Sequence, residues 1–364
     1  MVDAVTVIIL ILSLPYWVSV FTILTHLKPG SVQKGKLPFV SVIIPTKNEE
    51  NVIEKTLKKI KNSDYPGRME IIVVDANSTD RTAKIARRYG RVIVERKPKG
   101  KPHALNLAMR KARGEIIYII DADSWVEKDT IKNLILQMDG YKAVTGINLP
   151  ENKNSFVTRF GRLENALLID TDLFLYSLLK TAIVPGRNYA VYKNVLKKIG
   201  GFKNVLTEDL NISIRLYKAG YNVKLVPAKC YEQVPDRFRW YLKQQKRWSM
   251  GSINEIKNTI GNIRPILLPL IPVLMFLAMT FVAFTISLIA FLLTMSPVFL
   301  LILVPTLLVS AIAVHKYLEA DDMYYLPLTA IALGILCIAI NLYAFSCVVL
   351  RKKTIWEKTP KEKM

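Results

Sequence analysis

Residues 265 to 313 of this 364-residue chain contain no charged side chain, and residues 325 to 350 contain none either. Water-facing helices carry polar groups on their outer face. A helix of about 20 apolar residues, by contrast, spans the ~30 Å hydrocarbon core of a bilayer. A third uncharged run covers residues 4 to 25. It lacks the positive flank of a cleavable leader and is too long for a leader's apolar region, so it reads as a spanning helix. The chain is thus expected to be a multi-pass integral protein of the cell membrane, with a hydrophilic segment between the first span and the later ones.

The formal net charge of +22 would suit nucleic acid or an anionic membrane surface. With spans present the membrane accounts for it, and no nucleic-acid partner is expected. Lys28, Lys34 and Lys36 follow the first apolar run, and the positive-inside bias then puts the segment from 27 to 264 in the cytoplasm. Cys230, Cys337 and Cys347 have no metal-type spacing, which excludes a zinc or disulfide framework. Length divides the late apolar region into about three helices, giving four crossings with both termini opposite the hydrophilic segment. The basic tail opposes that count, because positive charge favours the cytoplasmic side.

Between the spans, β-branched runs alternate with helical stretches: 39 to 46 (FVSVIIPT), 69 to 77 (MEIIVVDAN), 91 to 96 (RVIVER) and 114 to 123 (GEIIYIIDAD). Continuous apolar strands joined through helices predict a doubly wound, mostly parallel α/β sheet covered on both faces. The domain boundaries follow: residues 1–27 an N-terminal transmembrane helix, 28–235 the α/β domain, 236–263 an interfacial amphipathic helix, 264–350 the C-terminal transmembrane region, and 351–364 a basic tail. The interfacial assignment rests on aromatic residues mixed with basic ones just before the spans.

Ligands of such sheets sit at the carboxyl ends of the strands. Those ends read Thr46-Lys47-Asn48-Glu49, Asp75-Ala76-Asn77-Ser78 and Asp121-Ala122-Asp123. No glycine-rich dinucleotide or P-loop sequence follows any of them. Asp121 and Asp123, two apart in an extended segment, would point to one face. Two carboxylates so placed suit Mg²⁺ or Mn²⁺, with substrate phosphates completing the shell. Gln244, Arg247 and Trp248 fall at i, i+3 and i+4, and on a helix they form one surface offering an amide, a cation and an aromatic plane.

The order of Asp75, Lys101 in KGKPHALN, Asp121-Ala122-Asp123, Thr207-Glu208-Asp209 and Q-Q-x-R-W ending at Trp248 resembles the family 2 glycosyltransferases of GT-A fold. More narrowly it resembles the membrane-integrated branch of cellulose, chitin and hyaluronan synthases and glucosylceramide synthases. The resemblance implies that Asp75 binds the nucleobase, Lys101 the phosphate or ribose, Asp121 the nucleotide and Asp123 the metal. Asp209 would be the catalytic base within the Thr207-Glu208-Asp209 element, and Thr46 and Glu49 lie in a stretch similar to a nucleotide-contacting one. A carboxylate within reach of the acceptor hydroxyl could take its proton. The same element could simply begin a helix, with Thr207 as cap and acids in the first turn. Val184-Pro185-Gly186-Arg187-Asn188 resembles an acceptor-side loop, without assigned residue roles.

The resemblance implies inverting transfer from a nucleotide-sugar donor, a UDP-hexose or UDP-N-acetylhexosamine, to a lipid or glycan acceptor beside membrane lipids. It leans toward a processive β-linked polymer, with single transfer to a lipid as the alternative. A transporter or scaffold binding nucleotide without turnover would carry ionisable groups in its spans, and residues 265 to 313 carry none.

Overall fold

A computed structural model describes residues 37–260, residues 287–325 apart from 291, and scattered positions between 335 and 350. It divides into a sheet unit, which includes Pro29–Glu151 and Leu179–Gln233, and a helical unit, which includes Asn152–Leu178 and Val234–Thr359.

In the sheet unit, β1 (Val40–Thr46), β2 (Met69–Asp75), β3 (Arg91–Val94) and β4 (Ile116–Ile119) are the four strands expected from the apolar runs. They alternate with α1 (Ile53–Lys61), α2 (Thr82–Ala86) and α3 (Lys101–Lys111). Their order, β3-β2-β1-β4, is parallel throughout, as short helical crossovers require. Val42, Ile43, Ile44, Ile72, Val73, Ile116 and Ile117 are wholly buried, since both faces are covered. Gly114 is needed where the chain enters β4, because a Cβ there would stand 2.6 Å from the Ser41 amide nitrogen.

Four further strands make the sheet more mixed than the sequence pattern indicates. These are β5 (Ser124–Val126), β6 (Ala143–Pro150), β7 (Tyr189–Tyr192) and β8 (Val223–Glu232), and the full order is β3-β2-β1-β4-β7-β6-β8-β5. β7 runs antiparallel to both β4 and β6, β8 is parallel to β6, and β5 is antiparallel to β8. Four of the seven pairings are parallel, so the sheet is mostly parallel as expected, with antiparallel pairings of β7 and β5 that the sequence pattern does not announce. β8 escaped notice because its lysines interrupt the apolar run, and β5 because three residues carry no periodicity. The sheet unit also contains α4 (Thr130–Leu136), α6 (Lys193–Lys198) and α7 (Glu208–Lys218).

The helical unit contains α5 (Phe156–Leu179), α8 (Phe238–Ile260) and α9 (Leu300–Tyr317). Ser155 and Thr158 close the start of α5 by exchanging bonds, Thr158 N to Ser155 Oγ at 3.1 Å and Ser155 N to Thr158 Oγ1 at 3.0 Å. Phe160 of α5 meets Tyr241 of α8 edge to face at 5.2 Å between ring centres. Arg162 binds Asp322 through Nε at 3.2 Å and through Nη2 at 2.9 Å, and Arg159 adds a third bond at 3.2 Å.

Among the described residues no helix is long and apolar enough to cross a membrane. The run 4 to 25, most of 325 to 350, the start of 265 to 313 and the basic tail lie outside the described residues. So does the count of four crossings.

Candidate active site

Strand register brings the first two expected positions together. Thr46 and Asp75 end adjacent parallel strands and are direct cross-strand partners. Asp75 is buried, and Ser78 binds both its oxygens, through its amide to Oδ2 at 3.0 Å and through its hydroxyl to Oδ1. The loop bearing Glu49 is stitched to the next one: Asn48 N donates to Ser78 Oγ at 2.8 Å, Glu49 N to Thr82 Oγ1 at 2.7 Å, and Thr79 N to Asn48 Oδ1 at 2.9 Å. Asn48 and Asn77 hold left-handed backbone, which asparagine tolerates through local hydrogen bonding. Thr46 Oγ1 is buried without a hydrogen-bond partner.

Asp121-Ala122-Asp123 is not extended. It forms a turn closed by Ser124 N to Asp121 O at 3.2 Å, because β4 stops at Ile119 and β5 starts at Ser124. The expectation that period-two geometry aims both carboxylates is corrected accordingly: a turn sets their directions.

Lys101 is the hub. It begins α3 directly after Gly100, whose φ of 96° admits the sharp entry. Its Nζ lies 2.8 Å from Asp121 Oδ1, 3.2 Å from Glu208 Oε1 and 3.1 Å from the Gly186 carbonyl oxygen. Burial works against its charge, yet Asp121, Glu208 and Asp209 outweigh that and hold the ammonium above its ordinary pKa. Burial pushes the Tyr189 hydroxyl well up, and Glu208, Asp209 and Asp121 reinforce it, so these three carboxylates share one neighbourhood.

Glu208 and Asp209 occupy the first turn of α7, where the helix dipole favours negative charge. Thr207 stands at the cap position, but its side chain makes no capping bond and its Oγ1 is buried without a partner. The reading of Thr207 as a cap is therefore set aside. Asp209 packs against Gly186, where an added Cβ would come 3.0 Å from Asp209 Oδ2.

Two participants lack an assigned role in the sequence reading. Arg187 Nη1 stands 3.6 Å from Asp121 Oδ2, and Nη2 pairs with Glu232 at the end of β8. Burial opposes the Arg187 charge, but Glu232, Asp121 and Asp123 hold its pKa above the usual value. Its neighbours pin it. Gly186 and Asn188 have φ of 74° and 53°, and Asn188 bonds Tyr118 at 3.0 Å and the Ala228 carbonyl at 2.9 Å. The Gly-Arg-Asn sequence is a turn signal that could have marked this loop, whereas nothing local marks Glu232. His103 Nδ1 lies 2.6 Å from Oε1 of the buried Glu95.

Gln244, Arg247 and Trp248 lie on α8 and are each half-buried. They belong to the helical unit. Gln245 beside them donates through Nε2 to both oxygens of Glu164, at 2.8 Å each.

Among the described residues no three His, Cys, Asp or Glu side chains cluster to form a metal site of their own. Asp121 and Asp123 offer hard oxygen donors and leave most of a coordination shell to be filled. That fits Mg²⁺ or Mn²⁺ completed by phosphate oxygens and water better than a dedicated protein cage.

The mixed α/β sheet unit has a GT-A-like fold. Residues 41–200 match the family model described as "Glycosyl transferase family 2". It is 35% identical over 237 residues to the "Probable glycosyltransferase YdaM" of Bacillus subtilis (strain 168), covering 60% of this chain and 56% of that protein. It is 32% identical over 243 residues to the "Beta-monoglucosyldiacylglycerol synthase" of Nostoc sp. (strain PCC 7120 / SAG 25.82 / UTEX 2576), covering 62% and 52%. The chain thus spans about half the length of the curated relatives it matches. The solved mannosyltransferase PcManGT from Pyrobaculum calidifontis, in complex with GDP-Man and Mn²⁺, shares the fold with a TM-score of 0.61 at 21% identity, covering 95% of this chain and all of that one.

Proposed function

We propose that this protein transfers a single sugar, with inversion, from a nucleoside diphosphate sugar to a hydroxyl of a membrane lipid, using a divalent cation. The observation that carries the reading is the Lys101 ammonium joining Asp121 to Glu208 at 2.8 and 3.2 Å, so that the turn bearing Asp123 and the helix start bearing Asp209 meet around one cation. Lipid as acceptor is supported by the 32% identical relative named as a glucosyldiacylglycerol synthase. A growing β-linked glycan is the second reading, supported by the 27% identical relative named as a poly-beta-1,6-N-acetyl-D-glucosamine synthase.

In the proposed reaction the acceptor oxygen attacks the anomeric carbon, the bond to the β-phosphate oxygen breaks, and the acceptor proton passes to the Asp209 carboxylate. Asp75 and Thr46 hold the nucleoside, the buried Thr46 hydroxyl being a ready donor. Lys101 and Asp121 position the diphosphate end. A Mg²⁺ or Mn²⁺ held by Asp123 would supply charge neutralisation for the leaving diphosphate. Arg247 and Gln244 are assigned to the leaving group and Trp248 to stacking on a sugar ring. A cytoplasmic catalytic domain on a multi-pass anchor completes the proposal.

The test is incubation of the purified protein with Mg²⁺ or Mn²⁺, a panel of UDP- and GDP-sugars and diacylglycerol vesicles. Released nucleotide together with a lipid product bearing one sugar supports the proposal. A ladder of lengthening glycans supports the second reading, and no nucleotide release with any donor overturns both.

A further inference from the structure

Both oxygens of Asp121 already face a cation, Oδ1 the Lys101 ammonium at 2.8 Å and Oδ2 the Arg187 guanidinium at 3.6 Å. The guanidinium is not a loose surface group. Glu232 grips its far nitrogen, Asn188 beside it is locked by Tyr118 and two backbone carbonyls, and the Gly186 carbonyl on its other side accepts from Lys101. Its Nε is buried without a hydrogen-bond partner, as is Oε1 of Glu232.

A divalent ion arriving alone at Asp121 and Asp123 would meet two held positive charges within a few ångströms, in surroundings less screening than water. The same two charges attract a diphosphate. Metal and nucleotide therefore affect one another's affinity through these cations, and such coupling is reciprocal.

We propose that Arg187 makes metal binding conditional on the donor: it stands on Asp121 as a built-in counter-ion, disfavours the free metal, and favours the metal–nucleoside diphosphate complex. The inference rests on the metal-site reading given under the proposed function.

The test measures Mn²⁺ affinity of the full-length protein by calorimetry, with and without saturating UDP, and again with GDP. In the parent, nucleoside diphosphate should tighten Mn²⁺ at least tenfold. In Arg187→Met, Mn²⁺ alone should bind about five- to tenfold tighter and Mn²⁺ with nucleotide several-fold weaker, so that the coupling collapses. Arg187→Lys, which keeps the charge, should retain most of the coupling. Unchanged or weaker binding of Mn²⁺ alone in a folded Arg187→Met overturns the inference. Lack of coupling in the parent overturns it too, whether or not the variant folds. Asp123→Ala separates the two levels: if it binds Mn²⁺ as the parent does, the metal-site reading itself fails, whereas loss of binding there with no shift in Arg187→Met removes the Arg187 inference alone.

Discussion

The two units treat apolar surface in opposite ways. In the sheet unit Val94 is the single large hydrophobic side chain among the described residues that stands exposed, and the strand interiors are fully enclosed. In the helical unit Leu292, Leu293 and Met295 are 63%, 79% and 70% exposed, while Arg162 and Asp322 are 3% exposed each. Both units bury paired charge, but only the helical unit leaves several large apolar side chains exposed. Large exposed apolar surface marks a region built to be covered. The proposed cover is lipid, which would also account for why Arg162 and Asp322 bind each other rather than water.

The comparison can be broken in order of expected effect. The greatest lies in the sheet unit, where Asp209→Asn should lower turnover by ~10² to 10⁴ while nucleotide affinity stays within about twofold. Parent-like turnover would remove Asp209 from the proposed role, and lost nucleotide binding would show that the variant disturbs the donor site instead.

In the helical unit, Arg162→Met removes two of the three arginine bonds to the buried Asp322 carboxylate, leaving only that from Arg159, and should cost up to ~3–5 kcal/mol. Combining it with Asp322→Leu should recover most of that loss. Chemical denaturation in detergent would read both. A single variant within 1 kcal/mol of the parent, on the order expected of a surface pair, would mean that water reaches this pair freely.

Glu164 sharpens the contrast through pH. Burial pushes its carboxyl up from 4.5 to about 7, even though hydrogen bonds from Tyr241 and Gln245 pull the other way. Here the folded state holds the proton more tightly than the unfolded one, so stability is fullest below about pH 4.5 and declines as pH rises through about 7. Glu164→Gln should flatten that decline by roughly 1–3 kcal/mol between pH 5 and 8. An unchanged slope would assign it to other groups.

The smallest effect is at Gly186. An alanine there must adopt φ of 74° and press on Asp209 Oδ2 at 3.0 Å, at a cost of roughly 1–2 kcal/mol in stability and a several-fold drop in turnover. Activity and melting temperature equal to the parent's would mean that the loop yields without moving Asp209.

Much of this site lay open in the chain itself. Strands β1 to β4 announce themselves as unbroken β-branched runs, and the acids that end them fall where a parallel sheet presents ligands. Asp75 and Asp121 were visible in this way, whereas Lys101 and the Thr207–Asp209 element stood out only through the family resemblance. Arg187 was visible only as part of a turn, and Glu232 not at all, because β8 mixes lysines with apolar residues and its end looks like any polar loop.

Local pattern determines which segments are strands, which residues are buried on both faces, and where a chain turns, because burial repeats at short range with the backbone's own period. It therefore determined the parallel half of the sheet, the acidic strand ends and the uncharged runs. Which distant charges meet is a different matter. Lys101 reaches Glu208, and Arg187 reaches Asp121 and Glu232, only after β7 inserts antiparallel between β4 and β6 and β8 pairs along β6. Nothing local records that order, since each strand would satisfy its hydrogen bonds beside several partners. Packing of the whole sheet selects one of them, and with it the cation that stands on Asp121.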